Sequence, residues 1–316
     1  MSDLPTIDDV RAAAGRIAPH VRRTPLLPAR PVHEAPGFKG ELLLKLESLQ
    51  VTGSFKARGA MSKATALDED AIRRGLITAS GGNHGLGVAY AGWAAGAPVR
   101  IYLPHNTPPA KAEKLKAWGA EVVMHGAVWD DANAAAMEAA EAEGLTYVHP
   151  FADPQVIAGQ GTVVLELAGQ DPAIDTLVVA IGGGGLISGV SLAAKALNPA
   201  VRVIGVEPEG APTLSRSLEA GRLVELPGIE TAANTLAPRR SAALNLELIG
   251  RNVDEIVLVS DAEMRQAARW LWFEFGIGAE LAGAASLAAL IAGRLRPPAG
   301  SRVAALVCGA GTDGIG

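Results

Sequence analysis

"VTGSFKARGA", residues 51–60, places a single lysine, Lys56, among mostly small and uncharged residues, shortly behind the apolar run "ELLLKLE". The run reads as a strand and the stretch behind it opens a helix. A solvated surface charge is one explanation of Lys56; an amine placed for chemistry is the other. The ten residues alone leave both open, and the rest of the chain has to decide.

Working outward, β-branched apolar runs alternate with alanine-rich helical stretches. "ELLLKLE", "GLITAS", "VRIYLP", "AEVVMHG", "LTYVHP", "TLVVAIG", "VRVIGVEP", "DEIVLVS" and "VAALVCGAG" all read as strands. Several are nearly continuous in apolar residues, as parallel strands buried on both faces must be. "PPAKAEKLKAWGA" and "WDDANAAAMEAAEAEG" carry small or apolar residues at helical spacing and end in or near a glycine. Strand and helix in alternation predict an α/β fold with mostly parallel sheet. So many strands exceed one ordinary open sheet, which predicts two α/β domains.

The chain has 316 residues, 49% hydrophobic and 19% charged, which excludes a disordered protein. A formal net charge of −5 without a basic run disfavours nucleic acid and anionic membrane as partners. One cysteine, Cys308, leaves no intramolecular disulfide and no cysteine-rich zinc site. The acidic start "MSDLPTIDDV" is unlike a signal peptide, and no apolar run is long enough to span a bilayer. A cytoplasmic protein acting on a small molecule is expected.

Three glycine turns follow strands. "AIGGGGLISG" runs from strand through Gly182, Gly183, Gly184 and Gly185 into a helix. Consecutive glycines at a helix start let backbone N–H groups converge on an anion, which suits phosphate. A plain tight turn explains the glycines equally well. The run is not the dinucleotide pattern G-x-G-x-x-G. "ITASGGNHGLG" repeats the plan with Ser80, Gly81, Gly82, Asn83 and His84. Such a turn can take a carboxylate, although Ser80 and Asn83 can also be helix caps and His84 a structural histidine. The third turn, "VCGAGTDG", puts Cys308 at a strand end, where it can simply be core.

"ESLQVTGSFKARGA", "SGGNHGLGVAYA", "VHPFADPQVIAGQGT", "GGGGLISG" and "GAELAGAASLAAL", in that order, resemble the fold-type II pyridoxal-phosphate enzymes. Within them the chain is similar to the serine/threonine dehydratase (threonine ammonia-lyase) and serine racemase branch, along nearly its whole length. The resemblance implies two α/β domains of the tryptophan synthase β type, with the active site in the cleft between them. Residues 1–52 with 150–316 would form the larger, cofactor-binding domain and 53–149 the smaller. It implies that Lys56 forms the Schiff base with pyridoxal 5′-phosphate and later removes the substrate's α-proton. Phe55 would pack on the cofactor ring, Asn83 bond its ring oxygen, and Gly182–Gly185 cradle its phosphate. Ser80, Gly81, Gly82, Asn83 and His84 would hold the substrate carboxylate. Glu280 would lie near the ring edge and Cys308 opposite the pyridine nitrogen. The implied reaction is α,β-elimination from L-threonine or L-serine to a 2-oxo acid and ammonia. A racemase, a dehydratase for phenylserine, 3-hydroxyaspartate or a hydroxyectoine-derived acid, and a ligand-binding protein on the same fold are the alternatives.

The departures from the family pattern carry expectations of their own. Gly81 stands where racemases of the group carry a serine acid/base, so racemisation should be weak. The relatives' cation site would map to Glu207, the Ala211 carbonyl and Thr213. An alcohol at the last position is a poor ligand for a hard cation, and Glu207 reads more simply as a surface acid at a strand end. A divalent or monovalent cation is therefore doubtful. Asn234 and Thr235 replace an acid and a glycine near the substrate, and Arg239 and Arg240 follow. The chain ends after "CGAGTDGIG", so feedback through a C-terminal regulatory domain is not expected. A homodimer is.

Overall fold

Ten strands fall into two sheets in the computed structural model, which describes residues 4–315. Met1–Asp3 of the acidic N-terminal stretch and Gly316 lie outside the described residues. The strands are β1 (Leu26–Pro28), β2 (Glu41–Lys45), β3 (Leu76–Ala79), β4 (Val99–Leu103), β5 (Glu121–Met124), β6 (Thr146–Tyr147), β7 (Thr176–Ala180), β8 (Arg202–Pro208), β9 (Glu255–Val259) and β10 (Arg302–Leu306). The helices are α1 (Ile7–Ile17), α2 (Lys56–Ala64), α3 (Glu69–Arg74), α4 (Asn83–Ala95), α5 (Pro109–Lys116), α6 (Trp129–Glu143), α7 (Pro154–Gln170), α8 (Gly185–Leu197), α9 (Thr213–Glu219), α10 (Ala243–Asn252), α11 (Asp261–Phe275) and α12 (Leu281–Ile291). All nine apolar runs read as strands are strands. The fold is α/β with two sheets flanked by helices.

The larger sheet has the order β1-β2-β10-β7-β8-β9 and is parallel except for β1, which runs antiparallel to β2. Its core joins Leu43, Val178, Val203 and Ala305 from the strands to Ala285 and Leu287 of α12 and Val190 of α8. The smaller sheet, β5-β4-β3-β6, is wholly parallel. Its core sets Ile101 and Leu76 against Val88 of α4 and Met61 of α2. Both sheets read as apolar runs because helices cover their faces and leave little strand surface to water.

Helix α2 belongs to both bodies. Its Ala57, Ala60 and Met61 pack in the smaller core. Just ahead of it, Ser54 bridges Gly309, and the Phe55 N–H donates to the Cys308 carbonyl at 3.2 Å. The turn carrying Lys56 is thereby fastened to the end of β10, although residue 53 was the expected start of the smaller domain.

Candidate active site

The carboxyl ends of β3, β7 and β10 open onto one cleft of about 970 Å³, and the residues that follow them line it: Ser80 and Gly82, Gly182–Gly185, and Cys308. This is where parallel α/β sheets place ligands, since loops and helix starts gather there. A second depression, of about 750 Å³, lies between His33 and α11 and holds none of these groups.

Lys56 lines the cleft as the first residue of α2 and donates from Nζ to the Pro150 carbonyl at 2.7 Å. Burial lowers its pKa to about 8, against the opposing pull of Cys308 and Glu280. Burial pushes the Cys308 thiol well above its usual range, so near neutral pH it is uncharged and cannot hold the amine's proton. Its Sγ donates instead to the Ala282 carbonyl at 3.4 Å. Glu280 is itself raised to about 7, by burial first and by Asp313 next. Lys56 is therefore no solvated surface charge.

The glycine turn after β7 is shaped by what stands against it. A β-carbon at Gly185 would lie 2.8 Å from Phe151 Cα, and one at Gly183 would overlap the Phe151 ring. Gly184 has φ +94° and caps α8 without any side chain. Among the described residues, the amides of Gly182, Gly183 and Gly184 meet no acceptor. Unpaired amides at a helix start, with side chains excluded, fit a phosphate group and not merely a tight turn. The Ser241 hydroxyl donates to the Gly183 carbonyl at 2.9 Å, and Asn245 Nδ2 to the Phe151 carbonyl at 3.0 Å. These bonds hold the two walls together.

The turn after β3 resolves differently. Gly82 caps α4, again without a side chain, so neither Ser80 nor Asn83 is the cap. Asn83 donates from Nδ2 to Glu280 at 2.7 Å, bringing together two residues 197 apart in sequence. His84 lines the cleft, and its ring Nε2 lies 2.9 Å from the Val148 carbonyl and 3.1 Å from Thr78 Oγ1. Burial, with Lys56 adding to it, lowers its pKa to about 3, so it stays neutral. The structural explanation of His84 is the one its contacts support.

Gly81 turns a different face from Gly82. It does not line the cleft, whereas Gly82 does. A β-carbon at Gly81 would meet Thr107 Cγ2 at 3.2 Å and Leu103 Cδ2 at 3.3 Å, while at Gly82 nothing stands within 4 Å. The backbone turns Gly81 toward the β4–α5 connection, so a serine there would face Thr107.

The suggested cation ligands are otherwise engaged. Glu207 is fully buried, not a surface acid. It accepts from the backbone amides of Leu214 at 2.8 Å and Ser215 at 2.9 Å, at the start of α9. Thr213 donates its hydroxyl to the Pro238 carbonyl at 2.7 Å, and Ala211 lies buried before it. Among the described residues no group of three or more His, Cys, Asp or Glu is arranged to hold a metal.

Several neighbours carry no signal a single sequence can reveal. Pro150 and Phe151 lie in the quoted "VHPFADP", yet nothing in their residue types marks an amine acceptor or a glycine-turn wall. Arg58, two residues after Lys56, is fully buried. It donates to both carboxylate oxygens of Glu47 at 2.8 Å and to Glu166 at 2.7 Å. Lys45 completes the cluster, donating to Glu166 at 2.7 Å and to the Thr24 carbonyl at 2.9 Å.

An amine of lowered pKa and a glycine cradle line one cleft, and nearly the whole chain is similar to known proteins. The family model described as "Pyridoxal-phosphate dependent enzyme" matches residues 17–309. The chain belongs to that family. An L-threonine ammonia-lyase of Thermotoga maritima is 41% identical over 308 residues, covering 98% of this chain and 76% of that one. A phenylserine dehydratase of Ralstonia pickettii is 39% identical over 317 residues, covering 98% of this chain and 95% of that one. The structure of maize serine racemase superposes with a TM-score of 0.90 at 34% identity, over 98% of this chain and 94% of that one. As a member of the family the chain uses pyridoxal 5′-phosphate, and the cradle at Gly182–Gly185 and the buried amine of Lys56 fit that group.

Proposed function

We propose that the protein is an ammonia-lyase for β-hydroxy amino acids, removing the β-hydroxyl and the α-amino group of L-threonine or L-serine to leave a 2-oxo acid and ammonia. The observation that carries this reading is the Lys56 amine, buried and at a pKa of about 8, opposite the glycine turn. Lys56 would hold the cofactor covalently, Gly182–Gly185 its phosphate, Asn83 its ring oxygen, Phe55 one ring face and Cys308 its ring nitrogen. When bound, pyridoxal phosphate supplies an electron sink that acidifies the substrate's α-C–H bond.

The chain's own residues supply the rest. The Ser80–Gly82 turn and the start of α4 offer donors to the substrate carboxylate. A neutral amine at Lys56 accepts the α-proton; the Pro150 carbonyl, an acceptor only, stabilises the protonated form and keeps Nζ in place. Glu280, at about 7 and bonded to Asn83, can give or take a proton at the ring-oxygen position near neutral pH. Cys308, a neutral thiol donating to the Ala282 carbonyl at 3.4 Å, would have to turn that donor to the ring nitrogen to hold it, and would not protonate it. In sum, the substrate loses water, a water molecule is added back, and ammonia leaves.

The reading extends to a cytoplasmic homodimer, because Trp272 and Phe273 leave an apolar patch exposed on α11 that a second copy would cover. Light scattering on the purified protein tests it. For the reaction, ammonia and 2-oxo acid are measured against L-threonine, L-serine and other β-hydroxy amino acids. Equal amounts of both products are expected. No release from any of them overturns the reading.

A further inference from the structure

We propose that Trp129 is the wall of a side-chain subsite, and that the enzyme favours β-hydroxy amino acids carrying an aromatic ring on the β-carbon. This rests on the ammonia-lyase reading and narrows it to a substrate class.

Trp129 opens α6 and lines the cleft beside Val128. The two are 46% and 52% exposed, which leaves a large apolar surface on the cleft. Substrates ending in a hydroxymethyl or hydroxyethyl group have no use for such a surface. The indole is also held in place: Nε1 donates to the Ala79 carbonyl at 2.8 Å. Ala79 ends β3 and directly precedes Ser80. The ring therefore keeps a fixed position one residue from the turn assigned to the substrate carboxylate, and stacking on it costs little ordering.

Leu236, Ala237 and Pro238 also line the cleft and add an apolar wall, with Leu236 itself set in the core. That loop is fastened by Thr213 to the Pro238 carbonyl at 2.7 Å and by the Leu226 amide to the Arg239 carbonyl at 2.8 Å. A cleft of about 970 Å³ has room for a ring between the walls beside the cofactor.

The charges at the mouth speak against the other class with a large side chain, the anionic one. Arg239 is paired to Glu225 at 2.9 Å. Asp130, next to Trp129, also lines the cleft and would repel a second carboxylate. Lys111 and Arg240 remain; like Asp130 they are exposed, so water screens all three.

The test uses the holoenzyme as wild type, Trp129→Ala and Trp129→Phe. The kcat/KM for phenylserine is divided by that for threonine in each. In parallel, the binding of L-phenylalanine and L-alanine, which have no β-leaving group, is measured by calorimetry. Wild type is expected to give a ratio above one and to bind L-phenylalanine more tightly than L-alanine. Trp129→Ala should reduce both preferences by roughly tenfold or more, the scale of burying a ring against an indole. Trp129→Phe should keep a large part of both, which separates loss of the wall from damage to the fold.

An unchanged ratio and unchanged binding preference in Trp129→Ala would overturn the proposal, as would a wild type that prefers 3-hydroxyaspartate to phenylserine. Absence of ammonia from every substrate would instead sink the ammonia-lyase reading; the binding comparison would still decide whether Trp129 selects a ring.

Discussion

Replacing Arg58 with methionine separates a fastening role from simple packing. The side chain is fully buried, and its guanidinium meets Glu47 through Nε and Nη2, Glu166 through Nη1, and Thr162 Oγ1 at 3.2 Å. Methionine fills most of the volume but leaves Glu47, itself fully buried, with only the Thr24 hydroxyl at 2.5 Å. Glu166 keeps Lys45 at 2.7 Å and the Thr24 amide at 3.2 Å. Breaking a buried pair from one side costs about 3–5 kcal/mol, because the remaining charge has lost its compensation. With about 2.1 cal/mol/K of unfolding entropy per residue, that corresponds to a fall of roughly 5–8 °C in melting temperature for a chain of this length.

The pH dependence has a definite sign. Burial works to raise the Glu166 pKa, yet Arg58 and Lys45 outweigh it and hold the carboxyl below its usual value of 4.5. A lowered folded pKa gives stability that is present above the unfolded value and lost as pH falls through the folded one. Without Arg58 that contribution shrinks, and the burial term now favours the protonated acid. The gap between wild type and Arg58→Met should therefore narrow as pH falls from about 7 toward 4.5. Calorimetric melts at both ends of that window measure it. Adding Glu47→Gln should recover part of the loss, since removing both charges costs less than stranding one. A loss under about 1 kcal/mol, a gap that does not change with pH, or strict additivity in the double variant would refute the reasoning.

Lys56→Ala should retain no cofactor after borohydride reduction, whereas the wild type should carry the reduced label on the Lys56 peptide; label on Lys45 or Lys63 instead would contradict the site. Because burial lowers the Lys56 pKa to about 8, the rate of cofactor attachment to the apoprotein should climb with pH and level off above about 8, and a plateau only above about 10, near the free-lysine value, would contradict the burial argument. Gly185→Ala should weaken cofactor binding at least roughly tenfold, since its methyl group would stand 2.8 Å from Phe151 Cα and backbone would have to move. Gly82→Ala meets nothing within 4 Å and should keep the melting temperature while raising KM; equal effects of the two on cofactor affinity would argue against the cradle.

How much of this was legible in the sequence depends on the range of the interaction concerned. Nine strands were readable because each lies in its own apolar run, although β5 and β6 stay partly exposed. Strand β1 was not: three residues ending in Pro28, paired antiparallel at the sheet edge, leave no pattern to detect. Glycine turns announce themselves by composition, but which way each glycine faces depends on backbone direction, which a single sequence does not carry. Glu207 looked like an acid at a strand end, and only the position of α9 makes it an acceptor for two amides. Lys45 is the clearest case: a charge inside "ELLLKLE", its partner Glu166 lies 121 residues away on α7.

The opening question about "VTGSFKARGA" concerned one cation, and the stretch contains two. Lys56 and Arg58 are two residues apart on a helix, so at about 100° per residue they point to nearly opposite sides. One side faces the cleft, where burial lowers the amine's pKa to about 8. The other faces Glu47 and Glu166, where the guanidinium stays charged and bonded at 2.7 to 2.8 Å. An amine made reactive by burial gains little from being buried and would move toward water if its turn were loose. The turn is not loose: Phe55 is bonded to the end of β10 on one side, and Arg58 is bonded to β2's extension and α7 on the other. The residue that fits chemistry and the residue that fits structure thus occupy one turn because the first requires the second. Lysine at position 58 would keep the charge but could not bridge two carboxylates with a fixed fork, so Arg58→Lys should lose turnover through a less well held Lys56 more than through any change in substrate affinity.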